Sequence, residues 1–388
     1  MTALITDSDE HRLIRESTAK IAARYGHAYY SERARAGTGL EELWGELGEA
    51  GLLGVHLPEE YGGGGAGLAE LVVVLEELAA HGMPILSSVI SPAICGSILA
   101  AHALPEMKQA WLPALASGRR KMAFAITEPD AGSNSHAITT TAHADGDGWR
   151  ISGAKYFISA LNEADAVLLV TRDGDLPPSK SGRSPLSLFV VPIDSPGLQF
   201  QPIETELVCP DKQFTLFFDD VRLAGDALIG ERGKGLRQVF AGLNPERITA
   251  SALSNGIGRY AVAKARDYAR ERTVWSTPIG AHQGIAHPLA EAHIGVELAR
   301  LATARSAELF DAGQDAAAAA NIAKFTAADA SLKALDQAIQ THGGNGLSRE
   351  YGLADLWFVA RMLRTAPVSR EMVLNFVAQH SLGLPHSY

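Results

Sequence analysis

The sequence predicts an α+β protein of three consecutive domains. These are an N-terminal helical domain over residues 1–122, a middle antiparallel β domain of barrel or sandwich type over 123–232, and a C-terminal four-helix bundle over 233–388. Three observations carry this reading. Apolar residues recur at helical spacing in the first and last thirds, and cluster in short runs between Asp-Gly, Ser-Gly and Pro turns in the middle. The order helical, β, helical argues against alternating βα units. At 388 residues the chain has room for two or three domains and a core that needs no staples.

The elements follow in order. Asp9 to Tyr25 carries Leu13, Ile14 and Ile21 at helical spacing, with Asp7 placed as a box-like start before Glu10. Leu40 to Leu52 and Leu68 to His81 read as further helices, the first stopped by glycines and Pro58. Tyr61 to Gly65 between them reads as a flexible break. Ser91 to His102 and Glu106 to Ala116 complete the first domain. Lys121 to Ile126, Thr139 to His143, Trp149 to Ser152, Tyr156 to Ser159, Ala166 to Thr171, Leu186 to Val191, Phe214 to Phe218 and Asp226 to Ile229 read as strands. Asp173 to Ser184, rich in Pro, Ser and Gly, reads as a surface loop. Long Ala-rich runs follow: Arg247 to Arg272, Pro288 to Ala312, Ala316 to His342, Gly352 to Arg364 and Ser369 to Leu382. Such helices pack closely, which favours a bundle.

Composition narrows the function. A net charge of −10 makes a general nucleic-acid binder a poor fit, because phosphate binding needs a cationic face. Two cysteines, Cys95 and Cys209, exclude a disulfide framework and an all-Cys metal site. Their simplest role is as small buried hydrophobes. His282, His287 and His293 lack zinc spacing and Cys partners, so no metal site is expected. No long uncharged apolar run suggests a membrane span. The first ten residues are acidic and lack the form of a secretory signal, so a soluble, cytoplasmic protein is expected.

Four stretches carry chemistry. Ala125 to Asn134 (AITEPDAGSN) is a Gly/Pro-shaped loop after a strand, able to aim hydroxyls and backbone N–H groups at the polar edge of a planar ring. Gly153 to Ser159 (GAKYFIS) offers an aromatic ring and a hydroxyl on one strand face by alternation, at Phe157 and Ser159. In the third, Arg272 is a fixed cation suited to a pyrophosphate, followed by the Trp275 ring and the Gln283 amide. In the fourth, Gln340 to Gly346 (QTHGGNG), glycines permit close backbone approach to a phosphate. Each also has a plain structural reading, as a capped turn, a strand, a helix-end charge and a glycine helix stop.

Together, in this order, the four stretches resemble the acyl-CoA dehydrogenases, FAD-dependent enzymes that desaturate acyl thioesters. The resemblance covers nearly the whole chain. It implies that Phe124, Ile126, Thr127, Ser133, Phe157, Ser159, Arg272, Trp275, Gln283, Gln340, Gly343, Gly344 and Val368 bind FAD, with Ser133, Asn244 and Arg247 at the acyl-CoA. One departure stands out: where the family commonly has Trp, one residue, then Thr, this chain has Phe157, Ile158, Ser159. Phe still covers a ring face, and Ser keeps a hydroxyl that can meet the flavin. Sharing one cofactor between subunits, as the family does, implies a homotetramer. The resemblance also implies an electron-transfer flavoprotein as electron acceptor.

The reaction needs a carboxylate to take the proton α to the thioester carbonyl. Most of the family carry a Glu just ahead of the last helix, but here that segment reads Ala366-Pro367-Val368-Ser369. The isovaleryl and long-chain branches instead place a Glu before an Arg where the helix after the β unit opens. This chain has Asn244-Pro245-Glu246-Arg247 there, with Asn244 a natural N-cap and Pro245 a natural first helical residue. Glu246 is therefore expected to be the base, although Glu is also common at a helix start. The Ala366 N–H is expected to donate to the thioester oxygen, as is a ribityl hydroxyl of FAD. Two other readings stay open: a flavin monooxygenase or oxidase of the same fold, and a catalytically silent subunit of a hetero-oligomer.

Overall fold

In the computed structural model, α1 (Asp9–Ala36) runs well past the predicted end at Tyr25, although Gly26 leaves helical geometry within it. The described residues are 4–5, 7–179 and 182–386, so Met1–Ala3, Thr6, Lys180, Ser181, Ser387 and Tyr388 lie outside them, and with them parts of the acidic N-terminus and of the 173–184 loop. The cap of α1 is Ser8, which accepts from the His11 N–H at 3.0 Å. Asp7, expected to start the helix, instead pairs with Arg15 at 2.7 Å. The N-terminal domain continues with α2 (Glu41–Glu49), α3 (Leu68–Ala80), a π-helical segment (Val89–Gly96), α4 (Ser97–His102) and α5 (Pro105–Ala116). The 62–65 glycines are no flexible break. The Gly64 N–H donates to Gly54 and the Gly65 N–H to Leu57, each at 2.9 Å. A Cβ on Gly63 would meet the Leu57 carbonyl at 2.2 Å, so only glycine permits that approach.

The middle domain is one open sheet of eight strands: β1 (Met122–Ala125), β2 (Thr141–Asp145), β3 (Gly148–Ser159), β4 (Ala166–Asp173), β5 (Leu186–Pro192), β6 (Leu198–Ile203), β7 (Gln213–Leu223) and β8 (Leu228–Ile229). Their order is β6-β7-β3-β2-β4-β5-β8, with β1 also on β4. Two features correct the expected antiparallel barrel. β1 and β2 both pair with β4 in parallel, at different stretches of it, and the path ends at β6 and β8 without closing. β4 is apolar on both faces because both are buried. Leu168 and Val170 join the helical core, whereas Val167 and Leu169 join a second core with Phe189, Leu216 and Val221.

A small hairpin, β9 (Thr273–Val274) and β10 (Thr277–Pro278), links α6 (Gly235–Glu271) to α7 (Gln283–Asp311), and α8 (Ala317–His342) follows. These three long helices pack on one another. The expected four-helix bundle is modified. α10 (Arg370–His380) reaches it through α8, and α3 of the first domain packs along α6 and α7. The predicted helix over 352–364 is mostly single turns, with only Trp357–Met362 (α9) α-helical. The largest difference is at α6, which begins twelve residues before Arg247. Asn244 is therefore no N-cap and Pro245 no first residue. Pro245 sits inside the helix, where it has no N–H for the Ala241 carbonyl.

Candidate active site

Two neighbourhoods of the fold carry the predicted residues. The first is where β1 and β3 of the sheet approach each other. Phe124 is half-buried on β1, and the chain leaves the strand through Ile126 and Thr127. A buried ion pair fastens that exit. Lys155 Nζ donates to Glu128 Oε1 and to the Ile126 carbonyl, each at 2.9 Å. The Tyr156 N–H donates to the Thr127 carbonyl at 2.9 Å. Glu128 also accepts from the Thr139 N–H at 2.6 Å and the Thr140 N–H at 2.9 Å. Burial pushes the Glu128 carboxyl up, but Lys155 and the donated hydrogen bonds outweigh it, and its pKa falls to about 2. Neither Glu128 nor Lys155 was predicted as important. The signal was available: a Glu inside a turn motif and a Lys inside a strand need each other if both are buried.

Beyond Lys155 the pairing of β3 with β7 shifts register, and Phe157 takes a left-handed backbone at φ 55°. Such a bulge inserts a residue and flips the side-chain alternation. Lys155 and Ile158 both point inward, and Phe157 stands 51% exposed, an aromatic face turned away from the core. Ser159 lies beyond inward-facing Ile158. Its Oγ donates to Gln213 Oε1 at 2.9 Å, so its proton is committed within the chain and its lone pairs remain for a ligand. Ser133 is exposed in the loop between Glu128 and Thr139.

The second neighbourhood lies where α6, α8, the π-helical segment and the 364–369 loop meet. A Cβ on Gly242 would meet Ile98 and Ile94 within 2.8–2.9 Å, which shows how closely α6 approaches that wall. Glu246 follows one turn later. Part of its side chain remains open, but it lies deep among protein atoms, and among the described residues its carboxylate accepts no hydrogen bond. Burial raises its pKa to about 7, against the pull of Arg247 and Lys324. The expected helix-end effect plays no part, because Glu246 is in mid-helix. Arg247 Nη1 donates to the Leu243 carbonyl at 2.8 Å and to Asn244 Oδ1 at 3.3 Å, while its Nε has no partner. Asn244 thus serves Arg247 rather than the helix start. The Ala366 N–H departs from expectation: it donates to the Met362 carbonyl at 2.8 Å and is not free for a thioester oxygen. The Val368 carbonyl accepts from Lys324 Nζ.

The remaining predicted residues gather at the far ends of α6 and α8. Tyr268 stacks on His342 at 4.2 Å and accepts from Asn345 Nδ2 at 3.1 Å, joining the two helix ends. Arg272 follows Tyr268 by one turn, and Gln340, Gly343 and Gly344 flank His342, so one end of the bundle carries both sets. Arg272, Gln283 and Gln340 are exposed, and among the described residues no ion pair is formed by Arg272. Trp275 is 94% exposed at a left-handed hairpin tip. A Cβ on Gly343 or Gly344 would meet nothing within 4 Å. An unpaired cation, open glycine backbone and an unpacked indole suit a phosphate-bearing dinucleotide, and the Phe157 face suits a planar ring.

Comparison with known proteins decides the family. Residues 8–119, 123–221 and 233–382 match the N-terminal, middle and C-terminal domains of acyl-CoA dehydrogenase. Acyl-CoA dehydrogenase FadE12 of Mycobacterium tuberculosis is 56% identical over 384 residues, 98% of each chain. The chain belongs to the acyl-CoA dehydrogenase family. It is an FAD-dependent oxidoreductase acting on acyl-CoA. Two solved structures share the fold of this acyl-CoA dehydrogenase. An acyl-CoA dehydrogenase from Geobacillus kaustophilus is 28% identical, with TM-score 0.90 over 99% of this chain and 100% of that one. A chain in the structure of the electron transferring flavoprotein of Acidaminococcus fermentans is 26% identical, with TM-score 0.90 over 97% and 99%. Among the described residues no helix is long and apolar enough to cross a membrane.

Proposed function

We propose that this acyl-CoA dehydrogenase desaturates its substrate with Glu246 as the base. The observation that carries the reading is a carboxylate deep in the protein that accepts no hydrogen bond among the described residues, with a pKa raised to about 7. A base poised near neutral pH is matched to abstracting a weakly acidic proton. The Cα–H proton passes to a Glu246 oxygen, the Cβ–H leaves as hydride, and the Cα=Cβ bond forms. FAD, when bound, supplies the hydride acceptor. Phe157 and the Phe124–Thr127 exit would hold its ring, and Arg272 and the 343–344 backbone its phosphates. Asn244 and Arg247 line the substrate side, with the unpartnered Arg247 Nε a donor in reserve. A base with this environment favours the dehydrogenase over an oxygen-activating enzyme or a silent subunit.

We further infer three domains over 1–122, 123–232 and 233–388, supported by the ranges of the family matches. Ile294, Leu298 and Leu301 form an exposed apolar stripe along α7, with Ile322 exposed on α8. Such a stripe supports a homo-oligomer, which we read as a tetramer. The likeness to a chain from an electron transferring flavoprotein structure supports a protein of that kind as electron acceptor. We read the location as cytoplasmic from the family resemblance. The decisive experiment is anaerobic mixing of purified Glu246→Gln protein with butyryl-, octanoyl- and palmitoyl-CoA. The variant should stay yellow and fail to bleach with any acyl-CoA that bleaches the wild type. Bleaching at the wild-type rate would refute the assignment.

A further inference from the structure

Lys324 on α8 is 2% exposed and has no role assigned in the reaction described above. Its Nζ donates to the Arg364 carbonyl at 3.2 Å and to the Val368 carbonyl. These carbonyls bracket Ala366 and Pro367, the segment where most of the family would carry the base. Among the described residues, Lys324 makes no ion pair with a carboxylate. A buried ammonium held only by backbone carbonyls is costly to keep, which calls for a use. The charged groups around it are Asp329 on its own helix, Arg247 on α6, Glu371 on α10 and Arg364 ahead of the loop. Asp329, the nearest opposing charge in effect, is shared with Arg364 at 2.8 Å and Arg370 at 3.3 Å. One place the Lys324 charge acts is Glu246, where it favours the ionised carboxylate from α8 as Arg247 does from α6. The Cys95 thiol also feels Glu246, from the π-helical side.

We propose that Lys324 is a positioning residue for the dehydrogenation. Its ammonium fastens the 364–368 loop over the site, and its charge keeps the Glu246 carboxylate ready to accept a proton. The proposal rests on Glu246 as the base. It joins two jobs in one side chain: the loop has lost the usual carboxylate, and the group that ties the loop down also tunes the carboxylate that replaces it.

The test is the anaerobic rate of flavin bleaching by butyryl-, octanoyl- or palmitoyl-CoA against pH, on the FAD-loaded enzyme. Lys324→Met and Lys324→Gln remove the charge, and Gln keeps one donor. Both should move the rising limb of the profile upward by about one pH unit, which lowers the rate at neutral pH about five- to tenfold. Lys324→Arg should restore the limb to its wild-type position. An unmoved limb in a neutral variant that retains its flavin overturns the proposal. Loss of flavin from both neutral variants, with a normal Arg variant, also overturns it and makes Lys324 a folding residue. Glu246→Gln separates the two claims. If that variant still bleaches, the base assignment has failed. If it does not bleach but the limb stays put without the Lys324 charge, only the present proposal has failed.

Discussion

Glu128 and Glu246 are both removed from bulk water and both feel a buried lysine, yet their pKa values move in opposite directions. At Glu128, burial is outweighed by direct contact: Lys155 at 2.9 Å and the Thr139 and Thr140 donors hold the carboxyl at about 2. At Glu246, burial wins. Arg247 and Lys324 act only through space, and the pKa rises to about 7. Hydrogen bonds to the charged form therefore decide which carboxyl stays ionised as a strut and which is poised to titrate near neutral pH. The lysines are less distinct, since burial brings both Lys155 and Lys324 down to about 8.

Removing each carboxylate breaks the comparison most directly. Glu246→Gln should cut the rate of substrate-driven bleaching by about a thousandfold without destabilising the protein, because no partner is stranded and a buried charge is removed. Glu128→Gln should do the reverse. It leaves Lys155 buried and uncompensated, and denaturant unfolding of the flavin-loaded protein should show a loss of about 3–5 kcal/mol. Adding Lys155→Met to Glu128→Gln should recover part of that loss. A double variant as unstable as the sum of the singles would show that the two side chains act independently.

pH separates the same two groups more gently. Glu128 has a folded pKa below the ordinary 4.5, so its contribution to stability is complete above that value and is lost as pH falls towards 2. Glu246 has a folded pKa above 4.5. Its contribution to stability is complete below 4.5 and is lost as pH rises through about 7. Bleaching rate runs the other way for Glu246, rising through pH 7 as the carboxylate forms. The wild-type rate should therefore climb about tenfold per unit below that point. The rising limb should persist in Glu128→Gln if enough protein stays folded to assay. A limb that vanished with Glu128 would place the kinetically important proton on the wrong carboxylate.

Much of this was legible in the chain, for identifiable reasons. Periodicity located the long helices and apolar runs located most strands, because each reports which face is buried. The proposal of Glu246 as base came from an absence, since Ala366 stands where the usual carboxylate would be. The setting of Glu246 was misread. Asn-Pro-Glu has the composition of a helix start, but α6 passes through Pro245 because packing against α3 and the π-helical wall outweighs one missing hydrogen bond. The Glu128–Lys155 strut was hidden because its partners lie 27 residues apart, one in the loop after β1 and one on β3. The Phe157 bulge was hidden because register shifts depend on the partner strand, β7. Lys324 gave no local signal at all. Its meaning comes from a loop 40 residues further on.

Trp275 is the smallest perturbation and the sharpest contrast with both carboxylates. It is 94% exposed, so its own protomer draws no packing from it. Trp275→Ala should therefore change unfolding of the flavin-free protein by less than about 0.5 kcal/mol. Its left-handed backbone, at φ 55°, gains nothing from a bulky side chain. If the indole covers a cofactor, the same substitution should weaken FAD retention about five- to tenfold, the loss of about one stacking contact. Equilibrium dialysis of the released flavin measures this directly. Unchanged retention would mean that the hairpin displays Trp275 to another partner. Any large loss of stability without flavin would mean that a second copy of the chain covers the ring even when the cofactor is gone.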